Sequence, residues 1–209
     1  RPRLHRPTRE EVREKLEQQL VKMVGEGRLP DVLTFAGNGE PTAHPDFKAI
    51  IEDTIQLRNR HCPEARVSVL SNATLAAKPS VREALLMVDN NILKLDTVNA
   101  EYIRRVNAPT GHYDVGEVVE ALKSYHGHVI IQTMFMKGRD MHGVSVDNTG
   151  EEYVGPWIEA VKAIAPQSVM VYTIDRETPD HALLKATHEE LDAIVARVKA
   201  CGIPASASY

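Results

Sequence analysis

The sequence predicts an α/β fold in which buried parallel strands alternate with helices. Five short apolar runs are continuous rather than alternating between apolar and polar residues, which is typical of parallel strands covered on both faces. The segments between these runs carry apolar residues at the spacing of an amphipathic helix. Several of these segments begin with a residue that caps helices well. Strand and helix therefore alternate along the chain, and right-handed crossovers are expected to join the strands into a barrel or an open sheet.

The helix starts rest on specific residues. In a capping box, a Ser or Thr and a Glu three positions later satisfy each other's backbone donors; the predicted pairs are Thr8–Glu11, Ser80–Glu83 and Thr187–Glu190. The predicted strands are 31–36, 67–70, 92–96, 128–136 and 168–174, and the predicted helices are 8–25, 45–59, 80–87, 100–106, 114–127, 156–163 and 187–201. Residues 137–152 are predicted to form a loop, and 203–209 an extended tail.

Length and composition limit the function classes. The 209 residues, 43% hydrophobic and 26% charged, suit one globular domain with a full core. We expect a cytoplasmic protein, because no signal-peptide pattern opens the chain and no apolar run approaches the roughly 20 residues that span a membrane. The net charge of −4 gives no general electrostatic attraction for nucleic acid. The sequence begins with Arg1 rather than methionine, so we expect a piece of a longer chain.

The most informative stretch follows the first predicted strand. The apolar run Val32–Ala36 breaks into Gly37-Asn38-Gly39-Glu40-Pro41-Thr42, and a helix begins near Pro45. Glycines accept positive φ and let a ligand approach the main chain, and the carboxyl edge of a parallel sheet is where sites are built. The alternative is a tight turn between strand and helix in which Glu40 only meets solvent.

The whole stretch resembles the second signature of the radical S-adenosylmethionine (radical SAM) enzymes. Thr34-Phe35 precedes the Gly-Asn-Gly-Glu-Pro-Thr motif, and His44-Pro45 follows it. The most similar branch contains the wyosine-type tRNA-modifying enzymes and their uncharacterised relatives. The resemblance implies that Gly37, Asn38, Gly39 and Glu40 receive the amino group of the methionine half of S-adenosylmethionine (SAM).

The resemblance also implies a fold and a cofactor. Radical SAM cores are partial (β/α)6 TIM-like barrels, and residues 1–209 resemble such a core domain without its first strand. Enzymes of this class hold a 4Fe–4S cluster on a Cys-x-x-x-Cys-x-x-Cys loop after that strand and receive electrons from a donor such as flavodoxin or ferredoxin. The sequence has only Cys62 and Cys201, so no metal ligand is expected in this chain and the cluster cysteines are expected upstream of Arg1.

Polar residues also follow the second and third predicted strands. Ser71 and Asn72 come directly after the second strand, and Asp96 ends the third. Carboxyl ends of parallel strands share one edge, so these residues are expected near the central motif. The resemblance implies that Ser71 and Asn72 bind the ribose or carboxylate of SAM and that Asp96 lies near SAM or the substrate. Alternatively, Ser71 and Asn72 only form a turn and Asp96 only caps a helix.

Four more residues are candidates for contacts with SAM or substrate. Gln132 is a polar residue inside the apolar fourth strand, where burial requires a partner. Met134 lies near the end of that strand, and Thr173 and Arg176 lie at the end of the fifth. Met134 alternatively only packs, and Arg176 alternatively only pairs with its acidic neighbours. No catalytic residue is indicated.

Three functions remain open. A radical SAM enzyme binds SAM at its cluster and generates a 5′-deoxyadenosyl radical that abstracts hydrogen from a substrate, which here is RNA, protein or a metabolite. A barrel enzyme acting on a phosphorylated metabolite needs a glycine-rich loop near the last strands, and none follows Ile174. A SAM-binding or interaction domain without a cluster is the third. Glycyl-radical-activating enzymes carry Asp-x-Lys where Asp96 and Val98 stand, which disfavours that subgroup. We predict the first function.

Overall fold

The computed structural model describes residues 5–36, 39–174 and 182–209. Within these ranges the helices are α1 (Arg9–Gly25), α2 (Phe47–His61), α3 (Pro79–Met87), α4 (Ala100–Tyr102), α5 (Val115–Lys123), α6 (Glu151–Ile164) and α7 (His188–Ala200), with a 3₁₀-helix at Pro41–Ala43 and a π-helix at Ile103–Asn107. The strands are β1 (Val32–Phe35), β2 (Arg66–Ser71), β3 (Asn90–Lys94), β4 (Ile130–Met134), β5 (Met136–Gly138), β6 (Ser168–Tyr172), β7 (Leu183–Lys185) and β8 (Ala205–Ser208).

Six of the described strands form one sheet in the order β1-β2-β3-β4-β6-β8. The pairs β1–β2, β3–β4, β4–β6 and β6–β8 are parallel, and helices stand between the successive strands of this sheet along the chain. Strands β5 and β7 form a separate antiparallel pair. The parallel sheet with intervening helices confirms the predicted α/β class. The extended tail supplies β8, the sixth strand of the sheet.

Two element predictions at the fourth strand and third helix are wrong. The predicted strand 128–136 ends at Met134. The Phe135 N–H still donates to the Tyr172 carbonyl of β6 at 2.9 Å, but the Met136 N–H donates to Asn148 Oδ1 at 2.9 Å, and β5 starts there. The predicted capping box at Ser80 does not form. Helix α3 begins at Pro79 with Lys78 as a cap that makes no side-chain hydrogen bond, because proline fits the first helical position without needing its N–H.

The chain divides into two compact units, of which the first comprises residues up to Ser71 together with Lys78–Asn91. Its helices α1 and α2 pack through a cluster of Leu20, Leu57, Cys62 and Ala65. Both halves of the predicted capping box of α1 are present, with Glu11 N–H donating to Thr8 Oγ1 at 3.2 Å. Cys62 is 1% exposed and belongs to this apolar core.

A buried carboxylate joins the two helices of the first unit. Asp53 of α2 is 3% exposed and accepts from Arg9 Nε at 2.7 Å, Arg9 Nη2 at 2.9 Å and Arg13 Nη1 at 2.8 Å. The hydrogen bond from Arg9 and then the charges of both guanidinium groups hold the pKa of Asp53 below its ordinary value, although burial opposes them. Asp53 therefore stabilises the α1–α2 contact only while it is ionised.

Replacing Asp53 with asparagine is expected to lower the free energy of unfolding by about 1–2 kcal/mol, because both arginines are partly solvated and lose only part of their interaction. Because folding lowers the Asp53 pKa, the contribution is complete above the unfolded-state pKa of about 4 and disappears as pH falls through the folded-state pKa. Urea unfolding of both proteins between neutral and acidic pH measures this. The two curves should converge at low pH, and a difference that persists unchanged there would contradict the assignment.

The second unit comprises residues 72–77 and 92–209. Trp157 of α6 is 0% exposed, its Nε1–H donates to the Leu95 carbonyl at 3.0 Å, and its ring lies edge-on to Phe135 with centroids 5.3 Å apart. Thr133 Oγ1 donates to the same Leu95 carbonyl at 2.8 Å. The end of β3, just before Asp96, is therefore fixed by helix α6 and by β4.

Candidate functional site

The central motif positions one carboxylate at the end of β1. Gly37 and Asn38 lie outside the described residues, whereas Gly39 has a φ of 138°, a conformation that favours glycine. Glu40 caps the 3₁₀-helix, and its Oε1 accepts from the Thr42 N–H at 3.0 Å and from Ser71 Oγ at 2.7 Å. The structure therefore brings together Glu40 and Ser71, which the sequence places 31 residues apart.

Three hydrogen bonds orient the Glu40 carboxylate, since Thr42 Oγ1 also donates to Oε1 at 2.5 Å. Thr42 and Ser71 are 1% and 7% exposed, so these donors are held within the protein. A carboxylate that is fixed in advance binds an ammonium group with little further loss of freedom. His44 serves the same turn, because its Nδ1 accepts from the Asp46 N–H at 3.0 Å.

Asn72 forms a local turn in the second unit. Its Oδ1 accepts from the Thr74 N–H at 3.0 Å and from Thr74 Oγ1 at 2.7 Å, the arrangement of an Asx turn. The turn interpretation of Asn72 therefore has direct structural support. A contact of Asn72 with SAM stays a prediction.

Asp96 is the centre of a polar cluster in the second unit. Its Oδ1 accepts from the Met134 N–H at 2.9 Å, and its Oδ2 accepts from Asn107 Nδ2 at 2.9 Å and lies 3.1 Å from Lys94 Nζ. Asp96 is 7% exposed and precedes the short helix α4, whose cap is Asn99 rather than Asp96. The helix-cap interpretation of Asp96 is therefore wrong, and the carboxylate instead joins β3, β4 and the π-helix.

Lys94 and Asn107 are residues of this cluster that the sequence did not predict as site residues. Burial lowers the pKa of Lys94, but the charge of Asp96 and a hydrogen bond to the same carboxylate are among the causes that outweigh it, so the pKa stays above its ordinary value. Lys94 therefore carries a positive charge at neutral pH. A lysine inside an otherwise apolar strand was the available signal, by the same argument that selected Gln132.

Tyrosines surround Asp96. Burial, followed by the charge of Asp96, raises the pKa of Tyr113 to about 12, and the same two causes raise the pKa of Tyr102. Burial also raises the pKa of Tyr172, where Lys94 opposes it and Asp96 adds to it. All three phenols are therefore neutral at physiological pH. The Tyr102 hydroxyl donates to the Val146 carbonyl at 2.8 Å, which ties α4 to the loop after β5.

A cavity of about 710 Å³ opens beside this cluster. Of the residues predicted from the sequence, Asp96, Met134 and Thr173 line it; the other lining residues are Lys94, Tyr102, Arg105, Val106, Asn107, Met136, Asp140, Val146, Tyr172, Ile174 and Leu183. Gln132 is partly buried in β4 and is not among the lining residues. Thr173 Oγ1 accepts from the Ala186 N–H at 2.8 Å, and Arg176 lies outside the described residues.

The π-helix Ile103–Asn107 supplies one wall of the cavity. The sequence predicted a regular helix over 100–106, but α4 gives way to the wider π-turn after Tyr102. Short π-helices are rare and are frequent at functional sites, because the extra residue redirects neighbouring side chains. Here Arg105 and Asn107 both reach the cavity. No sequence signal distinguishes this turn from an α-helix.

The cysteines do not fit an iron–sulfur cluster. Cys62 is buried among leucines, and Cys201 is exposed at the end of α7, where its Sγ donates to the Arg197 carbonyl. A 4Fe–4S cluster in this class needs three thiolates, and the sequence has two. Over the described part of the chain, no group of three or more His, Cys, Asp or Glu side chains is arranged to hold a metal ion. Among the same residues, none of the helices has the length and apolar character that crossing a membrane requires.

The fold is that of the radical SAM enzymes. A radical SAM methyltransferase from Sphaerobacter thermophilus is similar with a TM-score of 0.66 at 15% identity, over 97% of this chain and 58% of that one. Streptococcus suis SuiB bound to S-adenosylmethionine also gives 0.66, at 14% identity, over 100% of this chain and 45% of that one. A domain of pyruvate-formate lyase-activating enzyme from Bacteroides vulgatus gives 0.61 at 15% identity, over 85% of this chain and 98% of that one. These similarities confirm the resemblance and the predicted fold class.

The relatives found by sequence give less information about this chain than the similar structures do. No protein-family model matches the chain. It is 26% identical over 166 residues to the GTPase Obg of Brachyspira hyodysenteriae and 27% identical over 153 residues to a UPF0026 protein of Synechocystis sp.. The chain spans only 22% and 52% of the length of these relatives. It contains no Gly-x-x-x-x-Gly-Lys-Ser/Thr phosphate loop of the kind that nucleotide-hydrolysing P-loop domains carry.

Proposed function

We propose that this chain is the core domain of a radical SAM enzyme that binds SAM and abstracts hydrogen from a substrate. The observation that carries the proposal is the Glu40 carboxylate, which Thr42 and Ser71 fix at the end of β1 inside the Gly-Asn-Gly-Glu motif. A fixed anion beside a glycine with positive φ suits the ammonium of an amino acid. The similarity to SuiB bound to SAM supports the same ligand.

In this proposal the chain binds and orients, and the cofactor supplies the hydrogen-abstraction chemistry. Glu40 accepts from the methionine ammonium of SAM, and Gly39 leaves room for the ligand, since a Cβ built there meets no atom of the described residues within 4 Å. Ser71 holds Glu40 in place and remains a proposed contact to the ribose or carboxylate of SAM. Gly37, Asn38, Asn72 and Asp96 complete the proposed SAM contacts, and Gln132, Met134, Thr173 and Arg176 remain proposed contacts to SAM or substrate.

The cluster has to come from outside this chain. Two cysteines, one buried and one at a helix end, do not hold it, so the proposal requires thiolates beyond residues 1–209 and an external electron donor such as flavodoxin or ferredoxin. No step is assigned to a cluster within these residues. The substrate also remains a proposal: SuiB has been crystallised with its precursor peptide SuiA, and archaeal TYW1 is similar with a TM-score of 0.57.

A second candidate is a SAM-binding domain that performs no radical chemistry, because the Glu40 site binds an ammonium group in either case. The two candidates share the Glu40 site and differ in what happens to bound SAM. Detection of 5′-deoxyadenosine after anaerobic reduction of the full-length, iron-loaded protein supports the enzyme. Tight SAM binding without any cleavage supports the binding domain.

Glu40→Gln tests the site itself. The amide oxygen still accepts from Thr42 and Ser71, but the charge that an ammonium needs is gone, so SAM is expected to bind about ten- to hundredfold more weakly. Isothermal titration calorimetry of SAM with the full-length protein measures this. Glu64→Gln is the matched control, because Glu64 is exposed in a turn of the same unit. Equal affinity in Glu40→Gln and the parent protein would restrict Glu40 to its role in the turn.

A further inference from the structure

The cavity of the second unit has two chemically different walls. Its apolar wall consists of Val106, Met134, Met136, Val146, Ile174 and Leu183. Its polar wall carries two cations, Lys94 and Arg105, and two carboxylates, Asp96 and Asp140. The volume of about 710 Å³ suits a small organic molecule. Methionines add adaptability, because their flexible thioethers fit ligands of different shape.

Both carboxylates of the cavity are already committed to the chain. Asp96 accepts from Met134 N–H and Asn107 Nδ2 and pairs with Lys94. The Asp140 Oδ1 accepts from the backbone N–H groups of His142 and Val144, both at 2.9 Å. Asp140 therefore closes its own loop, and these hydrogen bonds hold its pKa below the ordinary value. Both carboxylates therefore have hydrogen-bond partners within the chain before any ligand binds.

The two cations have donors in excess of their described partners. The Lys94 ammonium pairs with one carboxylate, at 3.1 Å. The Arg105 guanidinium, which carries several N–H donors, gives one hydrogen bond to the Ser145 carbonyl at 2.5 Å, and its Nε lies 4.0 Å from Asp140 Oδ2. Within the described part of the chain, the unused hydrogen-bonding capacity of the cavity is therefore mostly donor capacity on positive groups, which favours an anionic ligand.

Arg105 is held in place before any ligand arrives. Its guanidinium carbon lies 5.9 Å from the centroid of the Tyr102 ring, a cation–π arrangement, and 30% of its side chain remains exposed. The π-helix places Arg105 at the cavity, and the Ser145 carbonyl accepts from Nη2 and so fixes one end of the guanidinium group. A planar, oriented guanidinium binds carboxylate or phosphate through two parallel hydrogen bonds, which a flexible lysine does less well.

We propose that this cavity binds an amphiphilic organic anion, whose carboxylate or phosphate pairs with Arg105 and whose apolar body lies against Met134 and Met136. Binding of such an anion stands on the cavity alone. Its identification as the substrate of the enzyme rests on the proposed function. The proposal therefore names the substrate class as small, anionic and partly apolar rather than as a cation or a sugar.

A pair of fluorescent probes that differ in one sulfonate group tests the proposal on the full-length protein. Anilinonaphthalene sulfonate carries the anionic group, and phenylnaphthylamine is its neutral counterpart. Arg105→Gln is expected to weaken binding of the sulfonate probe about tenfold or more, because a charge-assisted pair is lost. The affinity for the neutral probe is expected to change by less than about twofold. Arg104→Gln is the matched control, since Arg104 is an exposed arginine of the same π-helix that does not line the cavity.

The proposal would be overturned if Arg105→Gln weakened binding of both probes equally. It would also be overturned if Arg104→Gln weakened binding of the sulfonate probe as much as Arg105→Gln does. Competition identifies the anionic group: benzoate displacing the sulfonate probe indicates a carboxylate, phenyl phosphate displacing it indicates a phosphate, and displacement by neither overturns the proposal. SAM affinity is measured on the same samples. If Glu40→Gln weakens SAM binding but Arg105→Gln leaves probe binding unchanged, the cavity proposal alone is rejected. If Arg105→Gln weakens binding of the sulfonate probe but Glu40→Gln leaves SAM binding unchanged, the SAM site alone is rejected.

Discussion

Asp96→Ala is expected to lower the free energy of unfolding of the second unit by about 2–4 kcal/mol, because the carboxylate is 5% exposed and hydrogen-bonded, whereas the Lys94 side chain, 32% exposed, stays partly solvated. The substitution leaves Lys94 without its carboxylate and removes the acceptor for the Met134 N–H and the Asn107 amide. Urea unfolding followed by the fluorescence of Trp157, the single tryptophan and a residue of the same unit, measures the change. A loss below about 1 kcal/mol would contradict the structural role of Asp96.

Two further variants separate the contribution of the Lys94–Asp96 ion pair from other effects on stability. Asp114→Ala removes a helix cap in the same unit, where the Asp114 carboxylate accepts from the Glu117 N–H at 2.9 Å, and is expected to cost about 1 kcal/mol. Lys94→Met in the Asp96→Ala background is expected to recover part of the loss, because removing both charges leaves neither one buried alone. Lys94 stabilises the fold below its unfolded-state pKa, and this stabilisation disappears as pH rises through its higher folded-state pKa.

The secondary structure that the sequence predicted correctly depends on local chemistry. The capping boxes at Thr8 and Thr187 form as predicted, because a residue at a helix start is satisfied by a partner three positions away. The same pattern at Ser80 fails, since Pro79 has already begun the helix and Ser80 lies inside its first turn. Continuous apolar runs also predicted β1, β2, β3, β4 and β6, although β1 has no fully buried residue and β3 and β6 alternate between buried and partly buried positions.

The elements that the sequence did not predict depend on distant partners. Strand β7 (Leu183–Lys185) exists because it pairs with β5 across more than 40 residues, at the Met136–Lys185 and Gly138–Leu183 positions. Helix α6 begins at Glu151 rather than at Pro156, since Gly150 caps it and two acids fill its first turn. Pro156 is the stronger local signal for a helix start, so the sequence predicted that α6 begins at Pro156, although this proline lies inside the helix.

The residues of the candidate site also fall into those that the sequence predicted and those that it did not. The motif indicated Glu40, and the strand-end argument selected Ser71, which the structure joins to it. The strand-end argument also selected Asp96, Met134 and Thr173, which line the cavity. It did not select Lys94 or Arg105, because the predicted strand 92–96 runs past Lys94, which is the last residue of β3, and Arg105 depends on a π-turn. The Asn72 side chain folds back onto Thr74, which no pattern distinguished from a ligand contact.

Trp157→Ala is expected to cost about 3–5 kcal/mol, because the indole is 0% exposed and its loss leaves a cavity beneath the end of β3. The variant also removes the donor to the Leu95 carbonyl and the edge-on contact with Phe135. Trp157→Phe is the matched control: it keeps a ring against Phe135 but loses the hydrogen bond, and is expected to cost about 1–3 kcal/mol.

Far-UV circular dichroism during urea unfolding measures both variants, since the tryptophan signal is absent in each. If Trp157 also positions Asp96 through the neighbouring Leu95 carbonyl, Trp157→Phe should weaken binding of the anilinonaphthalene sulfonate probe, because Lys94 and Asp96 share the wall that meets it. Thr133 Oγ1 still donates to the same carbonyl, so this weakening should stay within about threefold. A large loss of probe binding with an unchanged midpoint of unfolding would show that Trp157 acts on the cavity by a route other than the Leu95 carbonyl.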